Sequence, residues 1–248
     1  MEVHHHPEVE KKGFKEYILE GLMIFIAVMM GFFAEGLREH LADREKETQY
    51  MRAMVADLRK DSTQINNEIA YTNHDIVDLD FLFRCLHSSK LTDSVQFKLY
   101  QLNMRAGPLV GFEFSDAASV QLKNTGGLRL IQNQEVADAI IHYWATRDDV
   151  KEDISVFNQN VQNFWDDGLK IFDMYYTKDL THPEGKGSKS AIEPGARLMT
   201  MDKMQLIEYA NRVGTLELAL KWHYRKSLLR QKAIEADLER LIIKNYKF

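Results

Sequence analysis

The chain has 248 residues, 45% of them hydrophobic, with one cysteine, four prolines and a formal net charge of -5. That length holds one sizeable core. The acidic balance excludes a nucleic-acid binder, which needs a basic stripe to displace counterions from phosphates; here Lys and Arg are interleaved with Asp and Glu. Cys85 alone forms no intrachain disulfide, so cysteine usage assigns no redox compartment.

Residues 1–14 form a tail carrying His4, His5 and His6 and followed by Lys15. Neutral imidazoles bind Zn, Ni or Cu if several tails come together, and otherwise the run is a solvated or interfacial tail; no cofactor is implied. Residues 15–37 read as a single transmembrane helix. The run from Tyr17 to Leu37 is interrupted only by Glu20 and Glu35, and roughly 20 helical residues match the ~30 Å hydrocarbon layer. A cleavable signal peptide would place small residues before its cleavage site, whereas the exit reads Gly31-Phe32-Phe33-Ala34-Glu35, so the segment is expected to remain as an anchor. A short tail stays in the cytoplasm while a long C-terminal domain translocates whatever its charge, which puts the remainder outside the cytoplasmic membrane.

Helical spacing places Glu20, Ile24, Ala27, Gly31 and Glu35 on one face, with Phe25, Met29, Met30, Phe32 and Phe33 on the others. Small residues let helix backbones approach in lipid, so this face predicts contact with a second copy or another membrane protein. Glu20 has three readings: a carboxylate that reaches the headgroups or pairs with Lys15, a helix–helix contact, or an ion-handling group.

Residues 38–248 predict one helical domain. From Glu35 to about Leu86 the only breaker is Gly36, so the membrane helix is expected to continue outward as one rod. Met51, Met54, Leu58, Ile65, Ile69, Ile76, Leu79, Phe83 and Leu86 form its core stripe, and Asp57, Asp61, Glu68 and Asp75 read as a solvated face. A shorter helix is expected from Thr92 to about Met104. Ser115 is then predicted to cap a short helix that Gly126-Gly127 stops as a left-handed turn, leading to buried Leu128, Leu130 and Ile131. Asn133 caps a long aromatic helix from about Gln134 to Tyr176; residues 178–200 are a long loop; a last helix runs from Asp202 to Phe248. The architecture predicted is all-α: a transmembrane helix continuing into an antiparallel bundle.

Three stretches, His4-His5-His6-Pro7 with Lys11-Lys12, the block from Glu16 through Gly31-Phe32-Phe33-Ala34-Glu35-Gly36-Leu37-Arg38-Glu39-His40, and Gln121-Leu122-Lys123-Asn124-Thr125-Gly126-Gly127-Leu128-Arg129-Leu130-Ile131, together resemble a family of single-pass inner-membrane proteins of Bacteroidetes that has no assigned activity. The resemblance implies an inner-membrane anchor and a helical domain, and carries over no site residue.

Catalytic patterns are missing. The only Glu-x-x-His spacing is Glu2 to His5, and there is no His-Glu-x-x-His helix, Gly-x-Ser-x-Gly elbow, dinucleotide fingerprint or phosphate loop. Asp138 and His142 read as a partly buried polar pair, and Trp222-His223-Tyr224-Arg225 as packing with one solvated edge. The expectation is therefore no enzyme but a membrane-anchored, oligomeric scaffold or interaction protein of the cell envelope, with its N-terminus cytoplasmic and its domain periplasmic. Two alternatives stay open: an extracytoplasmic sensor or ligand-binding bundle, and an accessory subunit of an ion-driven complex using Glu20.

Overall fold

A computed structural model describes residues 13–88, 90–106, 113–181, 192 and 195–248, and among them there is no strand. The first element, α1 (Phe14–His87), is one helix of 74 residues, about 110 Å long at 1.5 Å per residue. It has no proline and no glycine after Gly36, so nothing in its covalent structure bends or stops it before Ser88. Residues 14–42 project outside the rest of the molecule. An 18-residue window of α1 near the N-terminus has a mean hydropathy of 2.1 and is 0% buried, long and apolar enough to cross a membrane. From Glu47 onward the same helix is a wall of the bundle.

The bundle goes up, down, up and down. Helix α2 (Asp93–Arg105) starts at Thr92, whose hydroxyl accepts from the Val95 N–H at 3.4 Å. It descends along α1, and Arg105 Nη2 reaches Asp78 Oδ2 at 2.6 Å. Helix α3 (Ala117–Asn124) continues the descent. Helix α4 (Gln134–Gly168), capped by Asn133, rises again. Helix α5 (Lys203–Ala219), capped by Asp202, descends through a π-helical turn at Leu220–Tyr224 into α6 (Arg225–Asn245). That descending rod packs on both α1 and α4. Its antiparallel register on α1 is set by Phe83 against Gly214, Arg225 to Asn73 at 2.7 Å, Arg59 to Glu239 at 2.6 Å and Tyr246 to Glu47 at 2.5 Å. The C-terminus thus returns to where α1 enters the bundle.

Two expected boundaries are corrected. Helix α4 ends at Gly168, not near Tyr176, because the chain folds back there: Ile171 and Phe172 N–H both donate to the Gly168 carbonyl. The apolar residues beyond continue the pattern but serve another purpose, Phe172 packing edge-on against Tyr100 at 5.0 Å and against Tyr209 at 5.8 Å. The last helix contains a π turn and stops at Asn245. Leu216, Leu220, Tyr224 and Leu228 recur every four residues and would drift around a regular helix; the wider turn keeps all four buried. The expected loop at 178–200 begins with a 3₁₀ segment (Met174–Thr181), and its end is pinned to the core, with Leu198 N–H donating to Gln96 Oε1 at 3.0 Å.

Two apolar cores result. The one nearer the projecting segment joins Met51, Met54 and Leu58 of α1 to Leu122, Ile140, Leu238 and Ile242. The other joins Ile65, Leu79 and Leu82 to Leu99, Phe157, Phe164, Tyr209 and Leu228. Between them α1, α3, α4 and α6 contribute buried polar residues.

Candidate functional site

The polar layer arises from the register of α1. Met51, Met54, Leu58, Asp61, Ile65, Glu68, Thr72, Asp75, Leu79, Leu82 and Leu86 alternate steps of three and four, the seam of a helix packed along its whole length. Asp61, Glu68 and Asp75 take every second place in that seam. They are not a solvated face: Asp61 is 0% exposed, and Glu68 and Asp75 are half-buried. The stripe expected from apolar residues alone skipped these positions; their seven-residue spacing was the signal that placed them in the seam.

Asp61 is fully engaged. Its Oδ1 accepts from the Ser115 N–H at 2.7 Å and its Oδ2 from the Tyr143 hydroxyl at 2.7 Å. One turn earlier, Asp57 Oδ2 accepts from the Ala118 N–H at 2.8 Å. Two carboxylates of α1 thus satisfy the N–H groups that lead into and open α3, as a capping side chain would. Arg147 of α4 closes the other side, with Nη1 donating to the Ser115 carbonyl at 3.1 Å and to Ser119 Oγ at 3.3 Å, and Nη2 to Asp116. Its guanidinium lies 4.6 Å from the centre of the Phe114 ring, and Trp144 Nε1 donates to Ser119 Oγ at 2.7 Å. Burial, and after it the charge on Asp61, push the Tyr143 hydroxyl well above its usual range, so it acts as a fixed donor.

From α6, Gln231 and Glu235 enter the layer one turn apart, 1% and 2% exposed. Neither the Gln231 amide nor the Glu235 carboxyl makes a hydrogen bond. Loss of hydration raises Glu235 to about 8, with Asp61 adding to the shift and Arg147 opposing it. Farther along the seam, burial also raises Glu68, beside Tyr224, and brings Asp75 to about 6, near His74, Asp78 and Arg105.

The turn between α3 and α4 corrects two residue assignments. Asp116 holds the N-cap position of α3, while Ser115 contributes its backbone N–H to Asp61 and leaves its own hydroxyl without a partner. Of the pair Gly126-Gly127, it is Gly126 that is left-handed, at φ 67°, as the helix stop requires. Gly127 is required for closeness: a Cβ there would stand 2.9 Å from the Tyr50 ring and 3.0 Å from Leu122. Leu128 and Leu130 are half-buried and Ile131 is buried.

Ile24, Ala27, Gly31 and Glu35 lie on the projecting part of α1, exposed in the single chain, and Glu20 is half-exposed on the same segment. Glu35 is engaged within its own helix by Arg38, whose Nε donates to it at 2.9 Å. His4, His5 and His6 lie outside the described residues. Asp138 and His142 are exposed rather than partly buried, and Asp138 accepts from Gln134 at 2.7 Å. His142 instead lines a groove of about 550 Å³ between α4 and α6, floored by Ala139, Ile234, Leu238 and Leu241. Trp222 is 59% exposed while Tyr224 is buried and stacked on Phe157 at 5.7 Å, so the solvated edge belongs to the tryptophan. Among the described residues no three His, Cys, Asp or Glu are grouped to hold a metal ion.

Comparison with protein-family models, curated proteins and solved structures gave no match to the chain. The layer's chemistry is that of fixed hydrogen bonds: they tie α1, α3 and α4 at one level, where α6 contributes the buried Gln231 and Glu235.

Proposed function

We propose that the chain is a membrane-anchored, self-associating helical scaffold or interaction protein of the bacterial cell envelope, with residues 15–37 in the inner membrane, its N-terminus in the cytoplasm and its bundle in the periplasm. One observation carries this reading: the uncovered apolar segment and the central wall of the bundle are the same unbroken helix. With no hinge between them, any partner that grips residues 15–37 also fixes the bundle's position and rotation. A freely tethered enzyme has no use for such stiffness, whereas a scaffold that presents its surface in register does.

Self-association would use the face of Glu20, Ile24, Ala27, Gly31 and Glu35. Ala27 and Gly31 permit close backbone approach, and the Arg38 contact lowers the cost of bringing Glu35 near another helix. A Cβ at Gly31 meets nothing within 4 Å in the single chain, so Gly31→Leu separates assembly from folding. Native mass spectrometry from mild detergent is expected to show an oligomer for wild type and Met30→Leu and a smaller species for Gly31→Leu. Equal oligomers in all three rule out this face. Glu20→Gln retains hydrogen bonding without charge and is expected to leave assembly and cellular phenotype intact. Orientation is tested by a reporter active only outside the cytoplasm, fused after Phe248; silence there, with activity of a cytoplasmic reporter, reverses the assignment.

A further inference from the structure

The polar layer has an imbalance that hydrogen bonds do not remove. Asp61 from α1 and Glu235 from α6 bring two carboxyls to one level, and the cation facing them from α4 is Arg147, whose guanidinium is already committed to Asp116, Ser119 and the Ser115 carbonyl. Tyr143, the other titratable group on that face of α4, donates to Asp61. Glu235 has no protein donor within hydrogen-bond reach of its oxygens: it is 2% exposed and both are unpartnered. An ionised carboxylate buried in that state is far more costly than a neutral carboxyl. A metal ion suits the site less well than a proton, because among the described residues no third His, Cys, Asp or Glu is grouped with the two carboxyls to complete a ligand set. The grooves between α4 and α6 and beside the π turn are lined by neither Gln231 nor Glu235, so these grooves bring no larger ligand to them.

We propose that Glu235 holds a proton in the folded bundle at neutral pH, and that its loss in alkaline medium releases α6 from α1 at the polar layer while the two apolar cores on either side remain packed. Burial raises the group to about 8, against an ordinary value of 4.5. The sign follows: the unfolded chain ionises first, so Glu235 leaves stability intact below about pH 4.5 and lowers it progressively as the pH rises to about 8. Above that, Asp61 and Glu235 are both charged, and their repulsion acts across the α1–α6 contact. The layer is then a latch closed by one proton.

The full chain in detergent is examined by infrared difference spectroscopy and by hydrogen exchange corrected for intrinsic rates. Wild type is expected to show a protonated-carboxyl band at pH 7 that is missing in Glu235→Gln and lost by pH 10. Between pH 7 and pH 9.5, protection of the α6 amides around residues 228–238 should fall at least tenfold in wild type and remain constant in Glu235→Gln. Asp75→Asn, in the same seam but outside the layer, should behave as wild type. A pH 7 band unaffected by Glu235→Gln, or an equal alkaline loss of protection in both proteins, overturns the proposal.

Discussion

Residues 14–42 and 47–86 of α1 belong to one helix and carry opposite patterns. The first stretch is apolar on most sides through its membrane-length core and is exposed at every position but Glu20; the second alternates apolar and acidic residues along one seam and is covered by α2, α3, α5 and α6. Apolar side chains must leave water in both. In the second stretch the bundle supplies the cover, so a narrow seam is enough and the outer face is polar; in the first none of the described residues covers the helix, and its apolar character extends around it. Acids differ in the same way. Asp57 and Asp61 are brought inside to cap α3, whereas Glu35, near the end of the apolar run, is met by Arg38 within the helix.

Asp61→Ala breaks the covered half most severely. It leaves the Ser115 N–H and the Tyr143 hydroxyl buried without their acceptor, and stability should fall by about 3 kcal/mol in a denaturant melt of the full chain. A loss below about 1 kcal/mol would mean that the layer is not what ties α3 to α1. Gly126→Val acts at the far end of the same attachment and should cost about 1–2 kcal/mol, because a β-branched residue resists the left-handed backbone. An unchanged melting temperature refutes that turn. Asp75 gives a smaller, pH-dependent effect. Burial holds it near 6, above its ordinary 3.8, so its contribution is complete below about pH 4 and declines as the pH rises to 6. Asp75→Asn should flatten the stability profile across that interval, and a slope that persists assigns it elsewhere. Arg59→Ala removes an exposed contact to Glu239 and should change stability by less than about 1 kcal/mol.

Much of this was legible from residue patterns. An uninterrupted run without proline foretold α1, Thr92 and Asn133 foretold two helix starts, and the glycine pair foretold the turn at Gly126. What escaped has a common cause. Asp61, Glu235 and Gln231 occupy seam positions that apolar periodicity treats as gaps; tertiary hydrogen bonds explain the burial of Asp61, and the packing of α6 on α1 and α4 carries Glu235 and Gln231 inside. Ser115 is a good local cap, but Asp57 on α1 does the capping from 61 positions away. Gly168, where α4 ends, lies against Tyr209, whose hydroxyl would stand 3.3 Å from a Cβ there. Local sequence carries no trace of that neighbour. The π turn shows itself only as a run of four-residue spacings, visible once α1 is known to lie alongside.

The scaffold reading requires residues 15–37 to have a bilayer as their cover. Membranes from cells expressing the full chain, and from cells expressing a chain with Ile24, Phe25, Ile26, Val28 and Met29 replaced by Ser, are washed at alkaline pH in sodium carbonate and the pellet and supernatant assayed for the bundle. The wild-type chain is predicted to stay in the pellet and the substituted chain to leave it; wild-type protein in the carbonate supernatant would contradict the anchor and the scaffold built on it.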